Sequence, residues 1–141
     1  MELNPDKVRK ITSEILTSLE RLEELKRLHK DAFLSDPHKI SSAKYNFIVA
    51  IEGIVDLCNH IIAKNAFRTP EDYADTFKVL AERNAFDQEF TNTLIQMARF
   101  RNRLVHIYWE VNNDELHHIL LTRLDDILQF LKYFGVFAGI A

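Results

Sequence analysis

The chain has 141 residues, a formal net charge of −3, and 47% hydrophobic and 28% charged residues. That suits one domain (residues 1–141) with a real core, is too apolar for disorder, and gives the molecule as a whole no electrostatic pull on nucleic acid. Three glycines and three prolines, where average usage gives roughly 17 of the two together, disfavour the turn-rich β-sandwiches and barrels and leave no glycine-rich phosphate loop.

In chain order the pattern is helical throughout. Asn4-Pro5 is a cap followed by proline at the first helical position, and Val8, Ile11, Ile15, Leu22 and Leu25 continue at helical spacing to about Asp31. Asp36-Pro37 opens a second helix reaching about Asn65. Its two apolar stripes, Ile48/Ile51/Val55/Cys58/Ile62 and Phe47/Ile54/Ile61, predict a central helix with more than one neighbour. Thr69-Pro70-Glu71-Asp72 has a capping pattern before a short helix with Tyr73, Phe77 and Leu80, ending near Arg83. A fourth helix starts near Asp87. Asn112 to Glu115 caps a last one that runs through Leu116, Leu120, Leu124, Ile127, Leu131 and Phe134 to Gly135, the expected C-terminal stop. The expectation is an all-α protein, an antiparallel bundle of four to five main helices, with most aromatic residues in the core.

A lone Cys58 cannot form an internal disulfide or a cysteine zinc site. The start Met1-Glu-Leu-Asn-Pro-Asp lacks a signal-peptide core, and the apolar run Tyr133–Ala141 is too short to cross a bilayer. These features predict a cytoplasmic protein with no membrane partner. A di-iron carboxylate centre needs two Glu-x-x-His motifs, and the chain has only Glu115-Leu-His-His118, so no metal is expected. The apolar tail is a dimer contact, a partner contact or a docked end.

The chemistry is concentrated in Arg99-Phe-Arg-Asn-Arg-Leu-Val-His-Ile-Tyr-Trp-Glu110. This segment carries +2, which leaves −5 for the rest of the chain. Arginines crowded into one helical turn suit either the helix C-terminus or a shared anion. Asn102 and His106 share a face, whereas Arg101 and His106 point roughly 140° apart on a straight helix. The fan Arg101, Asn102, His106 closes into a site if the helix ends near His106, or if a second copy meets it across a twofold axis. A second polar line, Glu52, Asp56 and His60, crosses the apolar central helix and either lines the same cleft or is an exposed edge.

Arg101-Asn-Arg-Leu-Val-His106-Ile-Tyr108 resembles the Arg-x4-His-x-Tyr motif of the HepT-like proteins of the HEPN superfamily. The resemblance extends through Ala50–Ile62, Pro70–Phe77 and Leu94–Phe100, and covers roughly residues 44 to 120. It implies an all-α homodimer with the motif at the dimer cleft, acting as a metal-independent endoribonuclease toxin without a cofactor. Its partner would be an MntA-like nucleotidyltransferase antitoxin that transfers AMP to the motif tyrosine, Tyr108. On that basis His106 is the general base or acid and Arg101 holds the scissile phosphate, both catalytic. Asn102 is a supporting residue, and Arg99 and Arg103 extend a positive rim for the RNA substrate. The competing expectation is a non-catalytic module that binds a nucleotide and docks to the nucleotidyltransferase.

Overall fold

The computed structural model describes residues 1–140, leaving aside the side chain of Tyr108. Among these residues the elements are α1 (Pro5–Lys26), α2 (Lys30–Leu34), α3 (Pro37–Lys64), α4 (Tyr73–Glu82), α5 (Gln88–His106), a 3₁₀ turn (Tyr108–Glu110), α6 (Asn113–Thr122) and α7 (Leu124–Ala138). No strand occurs among them. The bundle is all-α, with four long helices and three short ones.

Helix α3 is the axis of the fold, packing against every other α-helix. Both of its stripes are buried apart from partly covered Ile48. By length and composition it could cross a membrane, but 67% of its apolar window lies inside the bundle, which marks a core helix. The tightest approach is to α1, where Gly53 sits under Ile15. A Cβ on Gly53 would lie 2.6 Å from Ile15 Cγ1, so only glycine allows this separation.

Four helix boundaries differ from expectation. Helix α1 stops at Lys26 rather than near Asp31. His29 takes an extended conformation, its Nδ1 accepts the Asp31 amide, and the short α2 then buries Phe33 against the His117 ring. Helix α4 is capped by Asp72, whose Oδ1 accepts the Asp75 amide at 2.7 Å, and not by Thr69. The last helix is two helices broken at Arg123. There the Thr122 hydroxyl donates to the His118 carbonyl at 2.8 Å, a contact that bends helices. Gly135 lies inside α7. The stop is Gly139, at φ +76°, with the Ile140 amide donating to the Gly135 carbonyl at 2.9 Å. The C-terminal segment is partly docked: Phe134 and Ala138 are buried, while Val136 is 75% exposed.

Candidate active site

Helix α5 delivers the Arg-x4-His segment. Asp87 caps its start by accepting the Phe90 amide at 2.7 Å, and the Tyr133 hydroxyl of α7 donates to the same carboxylate at 2.8 Å. The helix ends at His106. Ile107 leaves helical geometry, its amide donating to the Arg103 carbonyl, and the 3₁₀ turn closes with the Glu110 amide on the Ile107 carbonyl at 2.9 Å. Val111 is buried behind the turn and Asn112 caps α6. His106 therefore stands exposed at a helix C-terminus, and no described side chain hydrogen-bonds to its ring.

Arg101 faces the other way, toward α3 and α4. Its Nε and Nη2 donate to one oxygen of Glu52 at 3.1 and 2.6 Å, and Nη1 donates to Asn102 Oδ1 at 3.1 Å. The Tyr73 ring covers one face of the guanidinium, 4.7 Å from its carbon to the ring centre. The side chain is 13% exposed and that of Glu52 39%. Of the five N–H groups of an arginine, three are engaged and one remains on each terminal nitrogen, the pair that matches two phosphate oxygens.

Tyr73 is the first residue of α4, and the loop before that helix is tied to it by ion pairs. Arg68 grips Asp75 at 2.7 and 2.9 Å and Glu82 at 2.7 Å, while Asp75 also accepts the Glu71 amide at 3.0 Å. The Arg68 guanidinium, helped by that amide, holds the Asp75 carboxyl down at about 2. This ionic clasp joins the loop to both ends of α4, the helix that begins with Tyr73.

The expected positive rim is not one surface. Arg99 and Arg103 lie about 200° around the helix from Arg101 and face α6 and α7. Both terminal nitrogens of Arg103 are on Glu115, at 2.6 and 2.8 Å. The pairing raises Arg103 and lowers Glu115, so this arginine brings no uncommitted cation. Arg99 is exposed and makes no ion pair with a described residue.

The polar line on α3 also divides. Glu52 holds Arg101. His60, 7% exposed, points at the start of α1, where its Nε2 accepts the Asn4 amide at 2.8 Å; it does not line the Arg101 cleft. Asp56 is exposed beside Lys7 and His60 in a shallow depression between α1 and α3. Burial, then the neighbouring Glu52, push its carboxyl up. Asn102 supports Arg101 and makes no hydrogen bond with His106. Tyr108 opens the 3₁₀ turn, and its side chain, on which the AMP-acceptor expectation falls, lies outside the described residues.

Tyr73 and Glu115 were missed as site residues. Tyr73 reads as a core aromatic in the sequence, its one distinguishing signal being its place directly after the Asp72 cap. Glu115 reads as an acidic residue suited to a helix N-terminus, and nothing local ties it to Arg103.

The family model for Ribonuclease HepT-like proteins matches residues 15–134. The mRNA nuclease HepT of Shewanella oneidensis is 28% identical over 123 residues, which is 86% of this chain and 92% of that protein. The solved structure of the tri-AMPylated Shewanella oneidensis HEPN toxin in complex with its MNT antitoxin superposes with a TM-score of 0.85 at 26% identity, over 93% of this chain and 98% of the other. YutE of Bacillus subtilis, a cytosolic protein of unknown function, shares the fold with a TM-score of 0.81 at 18% identity, over 97% and 92% of the two chains. The family match runs from α1 into α7 and contains every residue from Glu52 to Glu115 discussed above: this chain belongs to the Ribonuclease HepT-like family of HEPN proteins.

Proposed function

We propose that this protein is the ribonuclease toxin of a toxin–antitoxin pair, a cytoplasmic homodimer that cleaves RNA without a metal ion. The observation that carries this is the pairing of a preorganised guanidinium with an exposed imidazole at one helix end. Arg101 is fixed by Glu52, Asn102 and Tyr73 with two N–H groups to spare, and His106 stands at the last helical position. The two point in different directions on one chain, so a second copy across a twofold axis completes the constellation. His106 takes the 2′-hydroxyl proton, the freed oxygen attacks phosphorus, and the 5′-oxygen leaves as a hydroxyl after receiving a proton. Arg101 stabilises the charge that builds on the phosphorane. The products are a 2′,3′-cyclic phosphate and a 5′-hydroxyl end.

The partner we assign is an MNT nucleotidyltransferase, the kind of antitoxin complexed with the Shewanella oneidensis toxin. Tyr108 is the proposed AMP acceptor. An adenylyl group two residues beyond His106 adds bulk and negative charge where an RNA phosphate would bind.

A second reading, nucleotide-dependent docking to the antitoxin without cleavage, is favoured by one observation: Glu52 already neutralises much of Arg101. Purified protein on single-stranded RNA in excess EDTA separates the two. Cleavage should persist in the chelator and fall about 10²–10⁴-fold in His106→Ala and about 10²–10³-fold in Arg101→Ala, with antitoxin binding intact. Wild-type protein that binds the antitoxin but leaves RNA whole would install the docking reading.

A further inference from the structure

Between α5 on one side and α6 and α7 on the other lies a groove of about 500 Å³ that the cleavage chemistry does not use. That volume falls within the range of small-molecule sites. Phe47, Ile51, Phe100 and Ile127 form its apolar lining, with Phe47 and Phe100 packed edge to face at 5.4 Å. Three arginines meet two carboxylates at its walls. Arg103 is matched by Glu115, and Arg123 by Asp126 at 3.5 Å, which leaves Arg99 as the surplus cation. A local excess of positive charge runs against the −3 of the whole chain. Arg99 and His106 are seven residues apart and so lie within about 20° of one another on α5, about 10 Å apart along its axis; the Arg99 edge of the groove is the one on the imidazole's side.

We propose that this groove is a base-recognition subsite, taking an unstacked nucleobase of the same RNA strand that the Arg101–His106 site cleaves, and selecting guanine. The assignment rests on the ribonuclease reading. The apolar lining accepts the faces of a flat ring, as single-stranded RNA sites do with splayed bases. Arg99 receives the phosphate of that nucleotide. The selectivity follows from the acceptors. Asp126 is tied to Arg123 only loosely, and its carboxylate matches the adjacent N1–H and N2–H donors of guanine. Adenine and cytosine offer one exocyclic amine. Uracil presents a single N3–H between two carbonyl oxygens that a carboxylate repels, so it binds worst.

The test is titration of the intact protein with GMP, AMP, CMP and UMP, followed by amide chemical shifts, alongside cleavage of oligonucleotides that carry guanine or uracil next to the scissile bond. GMP should bind about tenfold more tightly than UMP, the difference one unmatched polar contact makes, with shifts confined to the groove. Asp126→Asn should abolish that preference, Arg99→Ala should weaken all four nucleotides alike, and Thr93→Trp, which fills the groove, should remove binding and the preference for guanine-flanked cuts. Arg99 is exposed, so its variant folds even if the tryptophan is not accommodated. Equal binding of GMP and UMP, no binding of any mononucleotide, or a change of oligomeric state in Thr93→Trp without nucleotide binding would each overturn the subsite. If wild-type protein leaves RNA uncut, the ribonuclease reading fails by itself, and the mononucleotide titration still decides what the groove binds.

Discussion

A guanidinium beside a glutamate is ordinarily a structural ion pair, yet Arg101 makes its two bonds to Glu52 through a single carboxylate oxygen and keeps donors on both terminal nitrogens. The partner is 49 residues away in the chain, on a different helix. The Arg-x4-His spacing was therefore legible in the sequence, while the identity of the residues that hold Arg101 was not: Tyr73 comes from α4, and helical periodicity marks only which side of that helix is apolar. The same limit applies to His60, whose place on a polar line with Glu52 and Asp56 says nothing of the Asn4 amide it accepts. Burial, and then the nearby Lys7 and Lys64, depress the His60 imidazole below its usual 6.5. Protonation removes the Nε2 acceptor and costs the folded state more than the unfolded one. Stability should thus decline as pH falls below about 6.5 toward the lower folded value, and level off beneath it. Asp56, shifted upward, acts with the opposite sign and at lower pH. Thermal melts from pH 8 to pH 5 should show the decline in the wild type and a flatter profile in His60→Gln, which still offers an acceptor but does not titrate. Identical profiles would refute the assignment.

At the scale of elements, most starts follow the sequence, Thr69 excepted, and so do the ends of α3 at Asn65 and of α4 at Arg83, whereas α1 and the last helix end elsewhere. Asn4, Asp36, Asp87 and Asn112 each accept an amide in the first turn that follows, because an N-cap is a local device and is visible locally. The break at Arg123 has no glycine or proline to announce it. The apolar spacing from Leu116 to Phe134 continues across it, since both halves bury the same side against α3. Gly53 was equally silent: only the Ile15 side chain, brought down by α1, shows why a Cβ is excluded. Gly53→Ala gains helix propensity of up to about 1 kcal/mol and incurs overpacking of about 1–3 kcal/mol. A net loss of stability is expected by urea denaturation, and Ile15→Ala, which removes the Cγ1 that the new Cβ would meet, should cost less in the Gly53→Ala background than in the wild type. A stabilised Gly53→Ala protein would mean that the two helices can separate without cost.

For the molecule as a whole, the arrangement of the proposed active site makes a demand on assembly. Arg101 and His106 diverge on α5, and in the proposed dimer each chain supplies a guanidinium and an imidazole to a cleft it cannot close alone. Arg101→Ala and His106→Ala proteins, each inactive, should regain part of the RNA cleavage when mixed, because a mixed dimer carries one of each group on opposite chains. Activity of the mixture no greater than that of its components would confine the site to one subunit.

The single tryptophan of the chain lies in the 3₁₀ turn directly after Tyr108, with 72% of its surface in solvent. Its indole emission is therefore an intrinsic optical signal from the edge of the proposed catalytic segment. Any event that dries this corner, whether a second subunit, the antitoxin or an adenylylated tyrosine, should register as a spectral shift in native protein without a dye attached.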